Sequence, residues 1–232
     1  MVGLTKLVLG AVLFLTGGQE TPTSQYNLEC ITKAIAQVES SNNPNAERYE
    51  KHLDSNPLTH LEDTSYGVAQ FIPTRARELE RRFDYLPRLG QSEDEIIRSL
   101  KNPEINLVYL KANLDEAMVM YGKVDLAIAA HNSGLTAPRN ARIQEMLNEV
   151  IGTSLKTDGI IGKKTKLAIT KFQRTYGIKA TGRLDSSTLE RLRNTWRNIF
   201  PDSENVAGIV PKNGTTEFYV HKVLKYCDQD SM

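Results

Sequence analysis

ITKAIAQVESSNNPNA, Ile31 to Ala46, is the stretch from which the rest of the chain is read. Leu28, Ile31, Ile35 and Val38 recur at spacings of three and four, which lines one face of a helix with apolar side chains and turns it toward a core. Glu39 falls in the last turn of that helix. The polar run Ser40, Ser41, Asn42, Asn43 and Pro44 then stops it, because Pro44 restricts Asn43 and cannot extend the hydrogen-bond ladder. A buried helix of this kind would hold the Glu39 carboxylate rigidly at the wall of a cleft. Most glutamates are solvated surface residues, so the reason to single this one out has to come from the rest of the chain.

Downstream, a polar segment punctuated by Pro57 and Gly67 reads as a loop, and SYGVAQFIP follows, with Gly67 suited to a close backbone approach. Pro73 opens a helix reaching about Phe83. Asn102 and Pro103 are an N-cap and first-turn pair for an amphipathic helix with Leu107, Leu110, Leu114, Ala117 and Met118 on one face, ended by Gly122. VDLAIAAHNSG, from Val124, is an almost wholly apolar helix, hence buried, so His131 and Asn132 emerge where a central helix meets a cleft.

The composition shifts after Pro138. DGIIGKKTKLAI, from Asp158, and TGRLDSSTLERL, from Thr181, form a weak repeat in which Gly159 and Gly182 each precede a threonine, Thr165 and Thr188, by about the same span. Each copy reads as a turn followed by a helix, with Asp185 the N-cap in the second and Gly162 at that place in the first. Leu147, Ile161, Ile169, Phe172, Tyr176, Ile178, Leu184 and Leu192 are its candidate core. A Pro- and Gly-rich segment from Phe200 to Thr216 leads to a final amphipathic helix, EFYVHKVLKYC, with Tyr219, Val220, Val223, Leu224 and Tyr226 on its apolar side.

The 232 residues carry a formal net charge of +1, and no dense Lys/Arg stripe with interleaved aromatics appears, which excludes nucleic acid as a partner. Lys6, the apolar LVLGAVLFL and the small residues Thr16, Gly17 and Gly18 read as an export signal over 1–18, too short for a stable membrane span unless it stays uncleaved. For an exported chain, Cys30 and Cys227 are expected to pair, tying the first helix to the last. Such a bond closes about 200 residues and is credited with on the order of 5 kcal/mol by the chain-entropy model. His52, His60, His131 and His221 lack ligand spacing, so no metal or other cofactor is expected, and no Ser or Cys nucleophile motif is present.

Five elements, in order, resemble the goose-lysozyme-like catalytic domain of lytic transglycosylases. They are Glu39-Ser40 with Asn43-Pro44; Gly67, Gln70 and Pro73; Asn102, Pro103 and Asn106; Ala129 to Gly134; and Tyr219-Val220 with Lys222, Val223 and Leu224. The segment after Pro138 resembles the small three-helix peptidoglycan-binding module. The resemblance implies a mainly α fold: a lysozyme-like domain over 25–140, a module inserted at 141–197, and a helix within 205–232 completing the first domain. His131 stands where the family has tyrosine, and the glutamate that the family places before Tyr-Val is replaced by Thr215 or shifted to Glu217.

Cleaving a glycosidic bond requires an acid for the leaving oxygen, and a carboxylic acid serves near neutrality only in an apolar, partly desolvated setting. The resemblance implies that one glutamate, here Glu39, protonates the bond between MurNAc and GlcNAc. As base, it then draws the sugar's own 6-hydroxyl onto the anomeric carbon, giving a 1,6-anhydro end. Ser40, Tyr66, Gly67, Gln70, His131, Asn132 and Tyr219 would bind the glycan strand. Glu62 and Asp63 are the candidates for a second carboxylate, which would make the protein a lysozyme-type hydrolase. A wall-binding or assembly protein retaining the fold as a scaffold is the other alternative. The expected place of action is the periplasm or cell envelope, as a monomer.

Overall fold

The computed structural model describes residues 27–50, 64–203 and 207–229. The expected export signal at 1–18, His52, His60, Glu62 and Asp63 lie outside them. The described residues form nine helices and one two-stranded sheet, the mainly α architecture expected. None of these helices is long and apolar enough to cross a membrane.

Helix α1 (Leu28–Ser40) begins at Asn27, whose side chain accepts from Glu29 N, and buries Ile31, Ala34, Ile35 and Ala36. Strands β1 (Glu47–Tyr49) and β2 (Thr64–Tyr66) pair antiparallel, so the expected loop ends as a hairpin whose connection is not described. Helix α2 (Pro73–Arg82) starts on its proline as expected. Helix α3 (Glu93–Lys101) was not foreseen. Its signal is a capping box, in which Ser92 Oγ accepts from Glu95 N while Glu95 accepts from Ser92 N, just ahead of the buried Ile96 and Leu100.

Helix α4 (Pro103–Tyr121) is capped by Asn102 and ends at Gly122 in the left-handed conformation. It is not amphipathic in the expected sense: Leu107 and Met118 are only half-buried, while Tyr109, Leu110, Ala112, Leu114 and Tyr121 join the core. The reason is position. Helices α1, α2 and α3 pack around it together with α5 (Val124–Ser133), which is buried through most of its length.

Helix α6 (Ala137–Ile151) starts three residues after α5 and belongs to two cores. It packs on α5 at one end, and its Ile143, Met146 and Leu147 join Ala168, Ile169 and Phe172 of α7 (Lys163–Thr175) and Leu192 and Trp196 of α8 (Ser186–Ile199). Four of the eight expected module core residues are fully buried; Ile161, Tyr176, Ile178 and Leu184 pack at its margin.

The repeat has a side-chain explanation. In the first copy Gln144 Oε1 accepts from Gly159 N (2.9 Å), while Nε2 donates to Ile160 O (3.0 Å) and Thr165 Oγ1 (3.2 Å). In the second, Gln173 Oε1 accepts from Gly182 N (2.8 Å), and Nε2 donates to Arg183 O (3.0 Å) and Thr188 Oγ1 (3.0 Å). One buried amide from the preceding helix thus closes each glycine-to-threonine turn.

The chain then returns along α6, with Ile209 N donating to Pro138 O and Lys212 N to Thr157 O. Helix α9 (Thr215–Gln229) lies against α1 and α5. It buries Tyr219, Val220, Val223 and Cys227 there, and a disulfide joins Cys227 to Cys30.

Candidate active site

The end of α1 fixes the Glu39 carboxylate. Ser41 closes the helix in the left-handed conformation, its N–H donating to the Gln37 carbonyl while Asn42 N–H donates to the Ala36 carbonyl. Ser40 Oγ donates to Val68 O (2.9 Å), pinning the helix end to the following turn. The Glu39 side chain is left only 6% exposed.

The turn from Tyr66 to Phe71 is held by a buried asparagine. Asn106 Oδ1 accepts from Ala69 N (2.8 Å), and Nδ2 donates to Tyr66 O (3.0 Å) and Leu100 O (2.7 Å). Gly67 sits in this web at φ +78°, where a Cβ would lie 2.1 Å from Leu100 O, so no other residue fits. Gln70 turns inward. Its Oε1 accepts from Ser65 Oγ (2.9 Å), and its Nε2 donates to the Ala46 and Gly67 carbonyls (3.2 and 2.8 Å). Its side chain therefore spans the hairpin and the turn, while the residue also borders the adjoining cleft.

Three other elements reach Glu39. From β1, Arg48 Nη1 lies 3.2 Å from Glu39 Oε2, and its Nε lies 2.6 Å from Glu50 Oε1. From α5, His131 Nε2 lies 3.9 Å from Glu39 Oε1, with the ring against Phe71. Burial pushes the imidazole below its ordinary pKa, against the opposing pull of Glu39 and the Ala69 carbonyl, and Arg75 and Arg48 push it the same way as burial. From α9, the Tyr219 hydroxyl is buried beside the carboxylate; burial and that negative charge push its pKa well above the ordinary range. Among the described residues no hydrogen bond of normal length and angle closes on it.

Asn132 accepts on Oδ1 from Thr216 Oγ1 (3.1 Å), which joins the end of α5 to the start of α9. Thr216 is buried, whereas Glu217 caps the helix by accepting from Gly214 N (3.1 Å). Neither Thr215 nor Glu217 makes the contact to Asn132; Thr216 does. A cleft of about 290 Å³ opens beside His131, bordered by Phe71, Arg75, Asn113, Asn132 and Gly134.

Sequence reasoning missed Arg48, Glu50, Asn113 and Thr216. Asn113 had a signal: with Asn106 it makes a pair of asparagines seven apart on the buried side of α4. Arg48 had none, since nothing local tells a loop arginine that its partner lies nine residues back. Among the described residues no cluster of His, Cys, Asp and Glu could hold a metal.

Residues 20–149, more than half the chain, match the transglycosylase SLT domain model. The chain belongs to the SLT transglycosylase family. Residues 137–192 match the peptidoglycan binding domain model, and the two matches overlap within α6, the helix shared by the two cores. No curated protein and no solved structure matches the chain. As an SLT member with a peptidoglycan-binding unit, the protein is of the type that cleaves glycosidic bonds in peptidoglycan. Both matches and the Cys30–Cys227 bond are features of proteins that work outside the cytoplasm.

Proposed function

We propose that this SLT protein is a lytic transglycosylase in which Glu39 alone serves as acid and base. It first gives its proton to the glycosidic oxygen between MurNAc and GlcNAc. As carboxylate it then takes the proton of the MurNAc 6-hydroxyl while that oxygen closes onto the anomeric carbon. The products are a 1,6-anhydro-MurNAc end and a free GlcNAc end, and no water is consumed.

One observation carries the reading: a carboxylate only 6% exposed, at the tip of a disulfide-anchored helix, faced by two neutral ring donors, His131 and Tyr219. Such a group is shielded from water and has donors placed to receive the anion formed once its proton is given up. Ser40, Tyr66, Gly67 and Gln70 shape the wall that a glycan strand lies along, and His131, Asn132 and Tyr219 face it. The division into 25–140, 141–197 and 205–232, with the module inserted, is supported by α9 packing on α1 and α5. The chain would work in the periplasm or cell envelope.

A second reading is lysozyme-type hydrolysis, favoured by Glu50, which shares Arg48 with Glu39 and so brings a second carboxylate to the site. Mass spectrometry of digested murein separates the two. Anhydro-muropeptides are expected, with Glu39→Gln lowering release by about 10²–10⁴-fold. Reducing ends that disappear in Glu50→Gln would replace the first reading with the second.

A further inference from the structure

We propose that Asn113 and Arg75 are positioning residues that fix His131 as its neutral Nε2–H tautomer, so that the ring turns a hydrogen-bond donor toward Glu39. The assignment follows from which atoms can only donate. A guanidinium has no acceptor. Arg75 Nε donates to Asn113 Oδ1 at 2.9 Å, so the Asn113 oxygen faces Arg75 and the amide nitrogen faces the opposite way. That nitrogen, Nδ2, lies 3.2 Å from His131 Nδ1 and has only hydrogens to offer. His131 Nδ1 is therefore the bare acceptor, and the ring's single N–H is on Nε2, on the Glu39 side.

The chain of contacts is anchored away from the cleft. Arg75 Nη2 binds Glu116 Oε2 (2.5 Å) and Nη1 binds Glu78 Oε2 (3.0 Å), so the guanidinium is held in place. Asn113 is 4% exposed and the His131 side chain 7%, so both are largely shielded although they border the cleft. The groups facing the ring are Glu39 on α1, Arg48 on β1, the Ala69 carbonyl, Phe71, Arg75 on α2 and Asn113 on α4. Burial and the two arginines oppose the imidazolium, and so does the Asn113 amide, whose hydrogens would meet the extra proton.

This polarity suits the acid and base steps proposed for Glu39, on which the functional half of the inference rests. With Nε2–H turned inward, the ring stabilises the carboxylate formed after proton donation. The reverse tautomer would point a lone pair at Glu39, repelling its anion and diverting its proton from the leaving oxygen. A tyrosine, which the family has at this place, donates without any tautomer to set. The histidine creates a requirement that Asn113 and Arg75 meet.

Ring ¹⁵N NMR of the full chain at pH 7, with His131 assigned by its loss in His131→Tyr, reads the tautomer directly. Protonated Nε2 with bare Nδ1 is expected; a protonated Nδ1 or an imidazolium overturns the proposal whatever the activity. Asn113→Asp replaces the donor with an acceptor and should move the proton onto Nδ1, lowering kcat on murein at least about tenfold with KM little changed. Adding His131→Tyr should restore turnover to within about threefold, because a hydroxyl accommodates either neighbour. Unchanged turnover in Asn113→Asp despite a reversed tautomer, or no recovery in a folded double variant, overturns the functional half. If Glu39→Gln stays active, the catalytic reading fails while the tautomer assignment stands on its spectrum.

Discussion

In the module, Gln144 closes a turn with partners no more than 21 residues away, and Gln173 does so within 15. Around Glu39, the side chains that meet are numbered 39, 48, 131 and 219, and the disulfide beneath them joins positions 197 apart. The module is thus a local construction and the candidate site a convergent one. Local closure repeats because one solution, a buried glutamine satisfying a glycine turn, works wherever a helix precedes it. Convergence does not repeat, since each contributor depends on how whole helices dock.

Cutting the disulfide should separate the behaviour of the two regions most. Replacing Cys30 and Cys227 by serine frees α9 from α1, and removing such a bond typically costs about 2–5 kcal/mol. Tyr219 and Thr216 ride on α9, so turnover on murein should fall at least about tenfold, as expected when a donor facing a developing anion is displaced. Binding of the variant to purified sacculi should persist, because Ile143, Phe172, Leu192 and Trp196 make their core without α9. Thermal melting, turnover and pull-down measured on one preparation decide it. Parallel loss of binding and turnover would show that the two regions fold as one.

A finer test uses the two glutamines against each other. Gln173→Leu strands the Gly182 N–H and the Thr188 hydroxyl, at about 1–3 kcal/mol for each buried group left unmade. The loss should stay in the module, weakening sacculus binding while cleavage of short soluble glycans persists. Gln144→Leu should reach further. Its partner Gly159 packs so closely on α6 that a Cβ there would lie 2.7 Å from Ala137 O, and Ala137 N donates to Gly134 O at the cleft edge. Lower turnover in Gln144→Leu than in Gln173→Leu, on the same soluble glycan, is the expected result. Equal turnover would mean that the shared helix transmits nothing.

What could be read from the sequence follows the same division. The glycine-to-threonine repeat, the Asn102 and Asp185 caps and the apolar stripe ahead of Glu39 are local signals, and each element stands where it was expected. The signal of helix α3, its capping box, is equally local. The burial of α4 on several sides was not legible, because residues such as Tyr109 enter the core only once α2, α3 and α5 surround them. At the site, Glu39, His131 and Tyr219 were recoverable through family motifs. Arg48 and Thr216 were not, since their partners are set by the hairpin and by the docking of α9. Gln70 shows another limit: its type suggested contacts to sugar, but not the bonds its side chain makes to the hairpin and turn at the border of the cleft.

The smallest expected effect is one of pH, because the module contains no histidine and the convergent site contains His131. Burial holds the His131 imidazole below its ordinary value of 6.5, with Arg75 and Arg48 acting in the same direction, so the unfolded chain binds this proton before the folded one does. Stability must then fall as pH drops below about 6.5, by at most about 1.4 kcal/mol per unit for one proton, and the fall ends at the lower folded-state value. His131→Tyr removes that proton from both states, since a phenol does not titrate in this range. Denaturant melts at pH 7, 6 and 5 should therefore show a shallower decline for His131→Tyr than for wild type. His221, exposed on α9, remains in both proteins and cancels from the difference. Parallel declines would mean that the imidazole titrates alike in the folded and unfolded chains, which a ring packed against Phe71 and held by Asn113 should not do.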